Sequence, residues 1–132
     1  MVFDTNLVIK YLRRRENLPA EAIISVVVAG ELEAFALKNG WGYERLLFMR
    51  AAFEQLGLVE IDSDFIPIYA LLDAYSQGRH PLHRLPPGLS ARNMGKNDLW
   101  IAATALYFDV ELHTTDKDFD HLAPLGLKVV RG

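Results

Sequence analysis

The sequence contains no cysteine, which excludes disulfides and cysteine-ligated zinc. It has no excess of positive charge either. Fourteen lysines and arginines stand against 17 aspartates and glutamates, for a formal net charge of −3. No global field draws this chain to nucleic acid, so any such binding must come from a local patch. Long apolar runs are also missing. The longest, from Ala22 to Gly30, carries a serine and is bounded by Glu21 and Glu31, far too short to cross a bilayer. The first residues do not read as a signal peptide, since no basic stretch precedes an apolar one. There is no internal repeat. The expectation is a cytoplasmic protein with no membrane attachment. At 132 residues, 51% of them apolar, the chain is expected to form a single domain, 1–132, with a real core.

What is present is an alternation of strand-like and helix-like segments. Val2-Phe3 is a short apolar run ending at Asp4, and Thr5 or Asn6 can cap a helix from about Leu7 to Arg14. Ala22 to Ser25 reads as a buried strand, followed by a helix through Glu31 to about Lys38, where Asn39-Gly40 stops it. Tyr43 to Leu56 carries Leu46, Met49, Phe53 and Leu56 on one helical face. Leu58 to Ile61 reads as a third strand. Ser63 can cap a helix carrying Phe65, Ile68, Leu72 and Tyr75. Residues 79–95 form a loop rich in Pro, Gly, Arg and His. A helix over 97–108, a strand over 110–115, a short helical turn over 118–122 and a last strand over 128–130 complete the pattern. It predicts an α/β fold of three layers around a central, mainly parallel sheet of about four or five strands.

A parallel sheet gathers the carboxyl ends of its strands along one edge. Four acids fall at such ends or at the helix starts that follow: Asp4, Glu31, Asp98 and Asp116. Each has an ordinary explanation alone. Asp4 suits a helix N-cap, and Glu31 or Glu33, on opposite faces, suits solvent. Asp98 complements a helix dipole, though Ala102, Ala103 and Ala105 after it imply tight packing that would pin this helix start. Asp116, Asp118 and Asp120 suit a turn, with Asp118 a candidate cap for the short helix. Together they point elsewhere. Two unit charges about 5 Å apart at an effective dielectric of about 20 repel by roughly 3 kcal/mol. A ring of carboxylates therefore implies a hard divalent ion, Mg²⁺ or Mn²⁺, which prefers oxygen ligands.

The segments carrying these acids resemble the PIN-domain superfamily and, within it, VapC-type toxin ribonucleases of type II toxin–antitoxin pairs. The resemblance covers nearly the whole chain. Asn97-Asp98-Leu99-Trp100-Ile101-Ala102-Ala103-Thr104-Ala105 is the most specific part. Asp4-Thr5-Asn6, Ser25 with Glu31-Leu32, and Thr114-Thr115-Asp116 with Asp118-Phe119 are similar to the family's other motifs. The resemblance implies a PIN fold, Mg²⁺- or Mn²⁺-dependent endonucleolytic cleavage of RNA, a homodimer, and a cognate antitoxin that blocks the site. Carried over, Asp4, Glu31, Asp98 and Asp116 become the catalytic quartet. Asp4, Asp98 and Asp116 become metal ligands, with Glu31 and Asp118 as further candidates. Thr114 becomes the hydroxyl partner and Asn6 a supporting polar group.

Between Arg79 and Lys96 lie Arg79, Arg84, Arg92 and Lys96, with His80 and His83 and no acid. These cations, with Arg14 from the Arg13–Arg15 run, are candidate phosphate contacts; the same arginines could instead receive an acidic antitoxin segment. Trp41, Tyr43, Phe48, Tyr69 and Tyr75 are read mainly as core, with a dimer seam or an antitoxin groove as the alternative. Other readings are weaker. A phosphatase of the haloacid-dehalogenase type needs a second aspartate where Asn6 stands, and a receiver domain needs an acidic pair and a strand-end lysine. A PIN nuclease acting in RNA processing or on DNA, and a non-catalytic PIN-like binding module, remain as alternatives.

Overall fold

The computed structural model describes residues 1–132. Its elements run β1 (Val2–Phe3), α1 (Thr5–Arg13), β2 (Ile24–Ser25), α2 (Val26–Lys38), α3 (Tyr43–Leu56), β3 (Leu58–Val59), α4 (Ile66–Ser76), α5 (Lys96–Phe108), β4 (Leu112–Thr114) and β5 (Val129–Arg131). Short 3-10 turns cover Ser63–Phe65 and Asp120–Leu125.

Every strand pairing is parallel. β4 lies between β1 and β5, with Val2 opposite Leu112 and Leu112 opposite Val129. β2 pairs with β3. A parallel bridge between Val2 and Ile23 joins the two groups, giving the spatial order β3-β2-β1-β4-β5. Connections between parallel neighbours need crossovers, and the helices supply them. The expected α/β architecture is present, with its mainly parallel sheet.

The strands are shorter than the sequence suggests, for local reasons. Asp109, in the left-handed region at φ 52°, ends α5, and Val110 donates its N–H back to Ala105, so β4 begins only at Leu112. Asp62, not Ser63, caps the turn after β3, accepting from the Asp64 N–H at 2.8 Å. That turn ends the expected strand over 58–61 early. The short helical turn begins at Asp120 rather than Asp118, and no side chain caps it. β5 is displaced by one residue from the expected 128–130.

One cluster of 27 buried apolar residues forms the core. α5 is its centre: Ile101, Ala102, Ala103 and Ala105 are wholly buried. The three alanines let this helix approach α2, α4 and β1 closely, as their spacing predicts, and so set where its N-terminus points. Of the aromatic side chains read as core, Trp41 and Tyr75 are buried, Phe48 and Tyr69 are half-buried, and Tyr43 is exposed. No helix is long and apolar enough to cross a membrane.

Candidate metal centre

The site begins with Asp4, which follows β1 directly. Its carboxylate is only 4% exposed and both oxygens are engaged. Oδ1 accepts from the Thr5 N–H at 2.8 Å, capping α1. Oδ2 accepts from the Thr114 hydroxyl at 2.8 Å, across the sheet at the end of β4. The aspartate is therefore the cap, a role the sequence left to Thr5 or Asn6. The capping role and membership of the acidic group are not rivals here, because one carboxylate serves both.

Thr5 reaches a second acid. Its hydroxyl donates to Glu31 Oε1 at 2.6 Å. Glu31 lies one and a half turns into α2, whose N-cap is the buried Ser25, accepting from the Val28 N–H at 3.2 Å. Glu33 faces away and pairs with Arg50 at 3.1 Å, so the two glutamates divide as their spacing predicts. Thr5 was read only as a possible cap.

Asp116 follows β4 by two residues. Its N–H donates to the Thr114 hydroxyl oxygen at 3.0 Å, so Thr114 links Asp4 and the Asp116 turn. Asp116 Oδ1 accepts from the Asp118 N–H at 3.0 Å; Asp118 is exposed and does not cap the helical turn. Arg131 donates to the Asp116 carbonyl and holds both Asp120 oxygens, at 2.6 and 2.7 Å. Asp120 is thus neutralised locally, and Asp116 and Asp118 are not.

Asp98 enters from the first turn of α5. Its carboxyl is pushed up to about 6, first by burial and then by the charges of Asp4, Glu31, Asp116 and Asp118. The pKa of Asp4 is also raised, chiefly by burial, against the opposing pull of its bonds to Thr114 and Thr5. The charges of Asp4, Glu31, Asp116 and Asp118 thus all act on Asp98, and those of Glu31 and Asp116 also on Asp4. None of Asp4, Glu31, Asp98, Asp116 and Asp118 has a cationic partner; the ion pairs of the chain lie elsewhere.

An all-oxygen donor set with uncompensated negative charge fits Mg²⁺ or Mn²⁺ in chemistry. As the side chains stand, no three acids converge to the spacing of one ion's ligands. Asn6 is exposed, makes no side-chain hydrogen bond, and lines a cleft with Glu31 and Asn97.

The candidate cations divide. Arg92 lines a second cleft with Asn93, Gly95, Asp98 and Asp118. Lys96 opens α5, two residues before Asp98. Arg14 lies beside Asn6 and Arg13 in a third hollow. Arg79 and Arg84 are exposed and line none of these clefts.

Comparison with known proteins adds two findings. The PIN-domain family model matches residues 1–125. Among solved structures, the chain resembles VapBC2 from Rickettsia felis bound to a DNA fragment from its promoter, with a TM-score of 0.75 and 18% identity over 99% of this chain and 98% of that one. It also resembles VapBC-5 from Mycobacterium tuberculosis, a member of a toxin–antitoxin family (TM-score 0.65, 23% identity, 99% and 97% covered), and VapBC-1 from nontypeable Haemophilus influenzae (0.66, 22%, 99% and 98%). At these identities the likeness is one of fold. No curated protein matches the chain.

The raised Asp98 pKa has a sign that can be measured. Its value rises from the usual 3.8 to about 6, so between those values the metal-free folded chain keeps a proton that the unfolded chain has lost. This contribution stabilises at low pH and is lost as pH rises through about 6. In thermal melts with chelator, Asp98→Asn should raise the melting temperature at about pH 7 and have less effect near pH 4. An Asp98 carboxyl titrating near 4 by NMR, with no gain in the variant, would contradict it.

Proposed function

The chain belongs to the PIN-domain family, and on that premise we propose that it is a Mg²⁺- or Mn²⁺-dependent endoribonuclease, the toxin of a VapBC-type toxin–antitoxin pair. The observation that carries this reading is that Thr5 and Thr114 link Asp4, Glu31 and the Asp116 turn at one edge of the sheet, with Asp98 within reach of their charge and no ion pair to any of the four.

In this reading the ion supplies, when bound, activation of a water and stabilisation of charge on the phosphate being cut. The chain's own residues do the rest. Asp4 is the fixed member, held from two sides by Thr5 and Thr114. Glu31 is oriented by the Thr5 hydroxyl. Asp116 is fixed by the turn that Thr114 and Asp118 make around it. Asp98 sits in the first turn of α5, where the helix dipole offsets part of the cost of its charge. Asp118 is a further candidate ligand, and Asn6 and Thr114 are supporting groups. No histidine or lysine base is required, and the products carry a 5′-phosphate and a 3′-hydroxyl.

The remaining parts of the proposal concern partners. A cognate antitoxin is supported by the solved complexes the fold resembles. A homodimer is supported by the apolar surface around Phe65, where Ile66, Tyr107 and Phe108 stay exposed.

The reading is tested with a labelled mixed-sequence RNA. Cleavage in Mg²⁺ or Mn²⁺ should disappear with chelator and fall by at least about a hundredfold in Asp98→Asn, and the products should accept a kinase label only after their 5′-phosphates are removed. Products ending in 2′,3′-cyclic phosphate, or full activity in chelator, would contradict it. The cations divide in the same way. Arg92→Ala should weaken RNA binding and lower the slope of log affinity against log salt by about one, whereas Arg84→Ala should change it less. An unchanged slope for Arg92→Ala would remove that arginine from the binding surface.

A further inference from the structure

A buried polar group lies behind the site and takes no part in the chemistry described above. Ser76 closes α4 and is wholly buried, and His121 is 4% exposed. The Ser76 hydroxyl stands 2.8 Å from His121 Nε2 and 3.3 Å from Met94 Sδ. The Ser76 carbonyl accepts from the Arg92 N–H at 2.7 Å. Tyr75, one residue earlier, donates its hydroxyl to the His121 carbonyl at 3.2 Å. His121 Nδ1 meets no partner in hydrogen-bonding geometry, although the Asp118 backbone lies beside it. A buried serine facing a histidine is costly to build unless the bond is used, since each unpaired group loses its hydration.

These contacts have a direction. The segment Arg92 to Gly95 is one wall of the cleft that holds Asp98, and Asp118 is on the other wall. Ser76 grips the first wall through its carbonyl, at Arg92, and through its hydroxyl, at Met94. It grips the second through His121, three residues after Asp118. Burial, and after it the nearby Arg92 charge, lower the His121 pKa; the serine is uncharged, so its contact with the imidazole is a hydrogen bond. The loop is irregular from Gln77 to Gly95; its end is held by Gly95, the N-cap of α5, and by the buried Met94, and Ser76 adds the contact at Arg92 itself.

We infer that Ser76 and His121 are positioning residues: a buried strut that sets the Arg92 wall against the Asp118 wall, so that Arg92 meets an RNA phosphate beside the carboxylates without first being ordered. Preorganisation of this kind acts on binding, because ordering a loop during association costs affinity. The strut touches none of Asp4, Glu31, Asp98 and Asp116 and meets Asp118 only at its backbone, so its loss should leave the quartet's hold on the metal in place.

Steady-state cleavage of a labelled RNA by the full chain with Mn²⁺, beside Mn²⁺ affinity and thermal melting, tests the strut. Ser76→Ala keeps the carbonyl bond to the Arg92 N–H and removes the hydroxyl's contacts to Met94 and His121, so KM should rise about threefold while Mn²⁺ affinity stays within about twofold. With Arg92→Ala already in place, Ser76→Ala should add less than about twofold, since the strut then has no cation to place. His121→Gln, whose amide can still bond the Ser76 hydroxyl, should keep KM near that of the wild type. A folded Ser76→Ala with unchanged KM, or two effects that simply multiply, overturns the inference. If Ser76→Ala does not fold, His121→Leu replaces it with the same expectations. The inference rests on the ribonuclease reading, and amide hydrogen exchange without RNA separates the two. Exchange about tenfold faster at the bonded amides of Arg92 and Asp118 in the variant supports the strut even if the wild type cleaves nothing. Unchanged exchange overturns it whatever the activity.

Discussion

The carboxylate of Asp4 is the constraint around which the edge of the sheet is organised. It is buried, and a buried charge is tolerated only with hydrogen bonds to satisfy it. The Thr5 N–H supplies one and the Thr114 hydroxyl the other. These two bonds start α1, join the ends of β1 and β4, and through Thr114 fix the turn of Asp116. Thr5 then extends the same network to Glu31 on α2. Four elements are located relative to one acid. Removing that side chain would leave a helix without its cap, typically about 1 kcal/mol, and a buried threonine hydroxyl without its acceptor.

The same arrangement stores repulsion. Asp98 is brought to this edge by the packing of α5, not by any bond of its own. Its alanine-lined face fixes the helix, and the helix start delivers the acid. The result is a carboxyl held up to about 6 in a chain that has cations to spare elsewhere. Arg131 neutralises Asp120 and Arg50 pairs with Glu33, while the quartet is left uncompensated. A fold seeking stability alone would pair or remove these charges. Keeping them together is what a divalent ion requires.

Much of this was legible in the sequence because the signals are local. Asp4, Asp98 and Asp116 stand beside recognisable strand ends or helix starts, and Ala102, Ala103 and Ala105 announce a closely packed helix. The α/β alternation followed from apolar periodicity. What escaped depends on contacts between distant segments. Nothing near Thr5 in sequence shows that its hydroxyl meets a glutamate 26 residues on. Ser76 and His121 lie 45 residues apart and each looks ordinary in its own stretch. The basic loop shows the same limit. Arg79, Arg84 and Arg92 look equivalent as a charge run, yet only Arg92, three residues before the N-cap of α5, lines the cleft that holds Asp98. Strand limits were overread because turns such as the one Asp62 caps end pairing that apolar character alone would continue.

The account stands or falls on whether these acids act as one cation site. The most direct measurement is a Mn²⁺ titration of the full chain, following free Mn²⁺ by its paramagnetic resonance, for the wild type and for Asp4→Asn, Glu31→Gln, Asp98→Asn and Asp116→Asn. The account predicts saturable binding in the wild type, weakened by about tenfold or more in Asp4→Asn and Asp98→Asn while both remain folded. Equal Mn²⁺ affinity in wild type and in these variants, or no saturable binding at all, would contradict it.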